Sequence, residues 1–175
     1  LGEDVGSPGG PSKMQGVMEE FGPKRVLNTP ISEAGFTGLA VGAAMTGMRP
    51  VVEIMFVDFL GVCFDQIYNQ AAKVRYMFGG KAKTPLVIRT TYGAGARSAS
   101  QHSQALYPIF THIPGLKVVI PSNPYDAKGL LIEAVRDDDP VIFLENKLLY
   151  EMEGEVPDDS YSIPFAEAGI VREGK

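Results

Sequence analysis

Four short runs of apolar, mostly β-branched residues recur along the chain: Pro50–Met55, Leu86–Thr90, Lys117–Pro121 and Val141–Glu145. Runs of that length and composition predict strands with both faces covered. Between them lie longer stretches with apolar residues at helical spacing. One begins near Gly61 and places Phe64, Ile67, Tyr68, Ala71, Val74 and Met77 on one face, up to a stop at Gly79-Gly80. Others are expected over Gln104–Phe110 and Tyr125–Arg136. Upstream, shorter strands are expected at Leu1–Asp4 and Arg25–Asn28. They are separated by a helix from about Pro11 to Phe21, with Met14, Val17, Met18 and Phe21 inward and Gly22-Pro23 as its stop. A last strand is expected around Ala168–Val171. Strands alternating with helices define an α/β fold, a doubly wound parallel sheet whose ligands sit beyond the C-terminal ends of the strands.

The most unusual stretch is Asn28 to Met45. Pro30 cannot donate to a sheet ladder, so the strand before it should stop there. Ser32 is a good N-cap, with Glu33 at the first helical position. Gly35, Gly38 and Gly42 then share one helix face, each at a cost of roughly 1 kcal/mol relative to alanine. A chain tolerates that where a backbone or a ligand comes very close. The plainer reading is a tightly packed core helix whose N-terminal acid suits its dipole.

Thr29-Pro-Ile-Ser-Glu-Ala-Gly-Phe, followed by Gly47-Met-Arg-Pro-Val-Val-Glu-Ile, resembles the beta subunit of the decarboxylating component of 2-oxo acid dehydrogenase complexes. That family comprises the pyruvate, branched-chain and acetoin enzymes. The resemblance continues through Asp65-Gln-Ile, Arg75-Tyr-Met-Phe-Gly-Gly, Gln101-His-Ser-Gln and His112-Ile-Pro-Gly-Leu-Lys-Val-Val. It runs on through Pro121-Ser-Asn-Pro-Tyr-Asp-Ala-Lys-Gly-Leu-Leu to Asp139-Pro-Val-Ile-Phe-Leu-Glu. It covers nearly the whole chain in the family's order. It implies a transketolase-like pyrimidine-binding domain and thiamine diphosphate as cofactor. One departure is Tyr107-Pro108, where many relatives carry an acidic residue and an aromatic, which bears on the helix after the His102 loop.

The resemblance assigns roles residue by residue. Glu33 matches the glutamate that hydrogen-bonds the cofactor's aminopyrimidine ring and drives it toward the imino form that removes the thiazolium proton. Phe59 matches the phenylalanine packed on that ring, with Met55 beside it. His102 matches the active-site histidine, for proton transfer or for handing the acyl group to lipoamide; a lone histidine in a loop is otherwise more often structural. His112 reads as structural. A potassium site is implied at Leu86, Ala134, Val135, Asp137 and Asp139. There Asp137-Asp138-Asp139 follows a helix C-terminus, where negative charge is unfavourable and a cation would relieve it. The Mg²⁺ and diphosphate signature, Gly-Asp-Gly with a distant Asn-Asn, is absent from this chain. In the family the alpha subunit supplies it, so half a site, an α2β2 heterotetramer and little activity alone are expected. The further partners implied are a lipoyl-bearing acyltransferase and a 2-oxo acid, with pyruvate favoured by the run of motifs.

Other readings stay open: a different transketolase-like thiamine enzyme, or an isolated non-catalytic dimerisation or docking domain. Gly93-Ala-Gly-Ala after a strand is only a faint phosphate cradle, because no lysine and hydroxyl pair follows. A net charge of −5 without a basic run argues against nucleic acid, and no apolar run suits a membrane helix. The single cysteine, Cys63, excludes an internal disulfide and reads as a buried apolar residue. The 175 residues suit one domain. Both ends look trimmed, with the family's C-terminal domain absent. The compartment would be the cytoplasm in a bacterium, or the mitochondrial matrix or a plastid in a eukaryote.

Overall fold

A computed structural model describes residues 1–7, 14, 16–170 and 172–174. In chain order the elements are β1 (Gly2–Glu3), α1 (Val17–Phe21), β2 (Asn28–Thr29), α2 (Glu33–Met45) and β3 (Val51–Phe56). A broken helical segment over 57–71 leads to α3 (Val74–Met77). Then follow β4 (Val87–Tyr92), α4 (Tyr107–Thr111), β5 (Lys117–Val119), α5 (Pro124–Arg136) and β6 (Val141–Asn146). The six strands are all parallel, in the order β2-β1-β3-β4-β6-β5. Among the described residues no helix is long and apolar enough to cross a membrane.

Both faces of the sheet are covered, as the continuous apolar strands require. On one face Val52, Ile54, Ile88, Ile142 and Leu144 pack against Phe36, Ala40, Val41 and Ala44 of α2. Leu60, Cys63, Ile67 and Phe110 complete that layer. On the other, Val87, Val119, Val141 and Phe143 meet Leu130, Leu131 and Ala134 of α5, with Phe165 from the C-terminal segment. Each large apolar side chain so buried contributes about 1.5–3 kcal/mol.

The single helix expected from about Gly61 to Phe78 is broken into a π-helical stretch over Gln66–Ala71 and α3, and a 3-10 turn over Val57–Gly61 precedes it. Ala72 N–H reaches back to Ile67 O, and the buried Thr84 hydroxyl donates to Ala71 O at 3.0 Å. A side chain inserted into the carbonyl ladder is a recognised cause of such a break. The strand expected at Arg25–Asn28 is confined to Asn28–Thr29, because Arg25 and Val26 N–H both fold back onto Gly22 O. Residues 168–170 form no strand, and position 171 lies outside the described residues. The first helix is described only from Val17, and Phe21 is exposed rather than inward. Pro11, where it was expected to begin, lies outside the described residues. The helix expected from Gln104 starts at Tyr107, with Pro108 in its first turn, the one place a helix accepts proline.

Glu33 does open α2, but the Ser32 side chain makes no cap bond. Its hydroxyl lies 2.6 Å from where a Cβ on Gly35 would stand, so a larger residue there would require the Ser32 side chain to turn away. Among the described residues Gly38 meets Gln66 and Gly42 meets nothing within 4 Å, so no described backbone packs into the stripe.

Candidate active site

The chain path locates the site. From β1 the chain moves outward to β2, whereas from β3 it moves the other way to β4. The strand order therefore reverses between β1 and β3, whose register pair is Gly2 and Glu53. In open parallel sheets, such a reversal opens a crevice beyond the strand C-terminal ends. A cavity of about 520 Å³ lies there, lined by Glu3 of β1, Glu33 and Phe36 of α2, Glu53 to Phe56 of β3, and Phe59, Val62, Ile31 and His102. All four residues assigned to cofactor or catalysis, Glu33, Met55, Phe59 and His102, line this one space although they are up to 69 positions apart in sequence.

A β-bulge shapes its wall. Ile54 pairs with Thr90 and Phe56 with Thr91, leaving Met55 as the extra residue, its carbonyl accepting from the Thr91 hydroxyl at 2.5 Å. Bulges re-aim side chains at the ends of strands. The 3-10 turn after β3 then brings Phe59 back over the crevice. Three rings meet edge to face: Phe56 with His102 at 4.7 Å, Phe59 with His102 at 5.3 Å, and Phe56 with Phe59 at 5.9 Å. Such pairs contribute about 0.5–1.5 kcal/mol each beyond their area. The His102 Nδ1 is buried without a hydrogen-bond partner among the described residues. The space thus offers apolar aromatic walls, a carboxyl group at a helix start and an unsatisfied imidazole nitrogen. That chemistry fits a flat heteroaromatic ring with hydrogen-bonding edges.

Beneath the crevice lies an ionic group that the motif reading passed over. Arg89 stands opposite Glu53 on the ladder, and its Nη1 donates to the Glu53 carboxylate at 2.9 Å. Its Nε and Nη2 contact Glu145 at 3.1 and 2.7 Å. Tyr150 donates its hydroxyl to the same Glu145 at 2.5 Å. Burial pushes the Glu53 carboxyl above its ordinary range, with Arg89 pulling it back. Burial also works against the Arg89 cation, yet Glu53 and Glu145 outweigh it and the net shift is upward. The signal was legible: charged residues inside Val-Val-Glu-Ile and Leu-Val-Ile-Arg must find partners if both faces are covered. Lys147, at the end of β6, also reaches this region and was not singled out by motif.

Of the residues assigned to potassium, Ala134, Val135, Asp137 and Asp139 lie at or just past the C-terminal end of α5, and protein cations already serve Val135, Asp137 and Asp139. Arg49 Nη1 donates to the carbonyls of Val135 and Asp137 at 3.1 and 2.7 Å, and Nη2 to Asp138 at 2.7 Å. Lys117 holds both Asp137 carboxylate oxygens at 2.7 and 2.6 Å, Arg75 holds Asp139, and Lys83 holds Asp138. The Leu86 carbonyl accepts from Val141 N–H. Burial pulls the Lys117 ammonium down, but Asp137 and Asp139 outweigh it and raise it overall. With Arg49 in place the donors do not form an open cage for an ion.

The parallel α/β sheet and its crevice have counterparts among known proteins. Residues 1–153 match the family model of the transketolase pyrimidine-binding domain, and the chain belongs to that family. It is 69% identical over 151 residues to the acetoin:2,6-dichlorophenolindophenol oxidoreductase subunit beta of Cupriavidus necator, covering 86% of this chain and 45% of that protein. It is 53% identical over 175 residues to the pyruvate dehydrogenase E1 component subunit beta of Rickettsia felis, covering 99% and 54%. Among solved structures, a split-gene transketolase described as an inactive beta4 tetramer superposes with a TM-score of 0.68 at 22% identity, covering 93% of this chain and 49% of that one. That likeness shows the fold. The chain spans about half the length of the relatives it matches.

Proposed function

We propose that this chain forms the pyrimidine-binding half of a thiamine diphosphate site in the beta subunit of a 2-oxo acid dehydrogenase. The observation that carries the reading is the convergence of Glu33, Met55, Phe59 and His102 on the single crevice between β1 and β3. Thiamine diphosphate held there would supply carbanion chemistry and an electron sink for decarboxylation. Glu33 holds a proton against the ring nitrogen opposite the amine. Phe59 and Met55 pack the ring and exclude water. His102, wedged between Phe56 and Phe59, holds or delivers a proton at the substrate oxygen or during acyl transfer.

A partner alpha subunit completes the site with Mg²⁺ and a diphosphate clamp, in an α2β2 heterotetramer. The acyl group then passes to a lipoyl-bearing acyltransferase. Pyruvate is the substrate favoured by the motifs. Acetoin is a second reading, favoured by 69% identity to the acetoin enzyme's beta subunit against 53% to the pyruvate enzyme's. Potassium at Leu86, Ala134, Val135, Asp137 and Asp139 rests on the resemblance. An ion there would have to displace Arg49 from the Val135 and Asp137 carbonyls.

The test is Glu33→Gln in the full beta chain reconstituted with its alpha partner, thiamine diphosphate and Mg²⁺. Loss of the shared proton should lower turnover by roughly 10²-fold or more, the scale of acid–base catalysis, with the melting temperature unchanged. Full activity in that variant refutes the role. Parallel turnover of pyruvate and acetoin by the wild type separates the two substrate readings.

A further inference from the structure

Lys147 lies just past the C-terminal end of β6, outside every assigned position. Its ammonium donates to Gly93 O at 3.1 Å and to His102 O, the two ends of the loop that leaves β4. The same nitrogen stands 4.6 Å over the Phe56 ring, whose edge meets the His102 imidazole. Burial pulls this ammonium down, and the nearby Asp58 charge raises it. Asp58 in turn accepts from Gln104 Nε2 at 2.7 Å, and Gln104 O accepts from Gly93 N–H at 2.9 Å. The loop base is thus closed by one lysine, one carboxylate and one backbone bond.

The loop needs such a closure. Arg97 and Ala99 are non-glycine residues with φ of 54° and 64°, a left-handed conformation that costs about 1–3 kcal/mol each and persists only where surroundings impose it. Gly95, at φ 119°, sits where a Cβ would come within 2.4 Å of the neighbouring Leu148. Residues 146–148 therefore form the bed on which the 93–102 loop is pressed. A lysine suits the task because its flexible stem delivers several donors to two carbonyls at once.

We infer that Lys147 is a positioning residue: it staples both ends of the 93–102 loop and thereby fixes the His102 imidazole between Phe56 and Phe59 over the crevice. The catalytic consequence rests on the thiamine reading above, whereas the staple itself does not.

The test uses the full beta chain assembled with its alpha partner. In Lys147→Met, amide hydrogen exchange across 93–104 should accelerate at least tenfold. Turnover with thiamine diphosphate should fall at least tenfold through kcat, with the cofactor's Kd within about threefold of wild type. Lys147→Arg, which keeps charge and donors, should restore both to within about threefold. Should Lys147→Met fail to assemble, Lys147→Gln carries the same comparison. Unchanged exchange in 93–104 overturns the staple. Faster exchange with unchanged kcat overturns the positioning of His102. A wild-type assembly with no thiamine-dependent turnover overturns the functional reading instead, and the exchange measurement then still decides the staple.

Discussion

Arg89→Met exposes the electrostatic logic under the crevice. The side chains of Arg89, Glu53 and Glu145 are only 11%, 8% and 14% exposed. Methionine keeps much of the volume but leaves two buried carboxylates facing each other without a cation. Removing one partner of a buried ion pair costs about 3–5 kcal/mol, a large share of a total stability of about 5–15 kcal/mol. For a chain of this size, each kcal/mol moves the melting temperature by about 2–4 °C, so a drop of roughly 6–20 °C is expected. The loss should also depend on pH. Glu53 is already raised by burial, and Arg89 holds it down. Without Arg89 it climbs further. A carboxyl group raised in the folded state contributes stability that is present below its ordinary range and lost as pH rises through the folded value. The deficit of Arg89→Met relative to wild type must therefore be larger near about pH 8 than near about pH 5. Glu53→Gln added to Arg89→Met should recover part of the loss by removing one stranded charge. Thermal melts followed by circular dichroism at the two pH values decide it. A variant melting within about 2 °C of wild type at both would refute the reasoning, since an unpaired buried charge cannot be that inexpensive.

Gly115 has φ 98°, and a Cβ there would stand 2.1 Å from Ala72 O, so Gly115→Ala should lose more than about 1 kcal/mol in denaturant melts. Burial pushes the Cys63 thiol up to about 11. It should react with a thiol reagent at neutral pH only as fast as the protein opens, and prompt labelling of the folded protein would contradict the buried placement. With Arg49 as the resident cation, melting temperatures in potassium and in tetramethylammonium should coincide, whereas a rise of several degrees in potassium would favour the ion site instead.

What the sequence made legible was what is local or repetitive. The apolar runs at Pro50–Met55, Leu86–Thr90 and Val141–Glu145 required a sheet covered on both faces, and the structure has one, with β3, β4 and β6 on those runs. Glu33 could be placed at a helix start from Pro30 and Ser32 alone, although Ser32 turned out to cap nothing. Features set by distant partners were hidden. The break at Ala71 depends on the Thr84 hydroxyl, thirteen residues on, and no periodicity records that. The Met55 bulge depends on how β3 meets β4. The cations around Asp137 to Asp139 come from Arg49, Arg75, Lys83 and Lys117, which only the folded chain assembles. Lys147 carries no motif, since its partners are backbone carbonyls that any sequence would offer.

The crevice follows a seam between unequal parts of the sheet. On one side, β3, β4 and β6 are six residues long each and knit along their length; on the other, β1 and β2 contribute two residues apiece. Among the described residues one register pair, Gly2 with Glu53, spans the join, beside the backbone bonds of Leu1 to Val51 and Glu53. A molecule settling there would touch Glu3 and Glu33 on the thin flank and Glu53 to Phe56 with Phe59 on the thick one. It would act as mortar as well as cargo: any ligand that binds only when the two flanks are together shifts the balance toward the closed sheet in proportion to its occupancy.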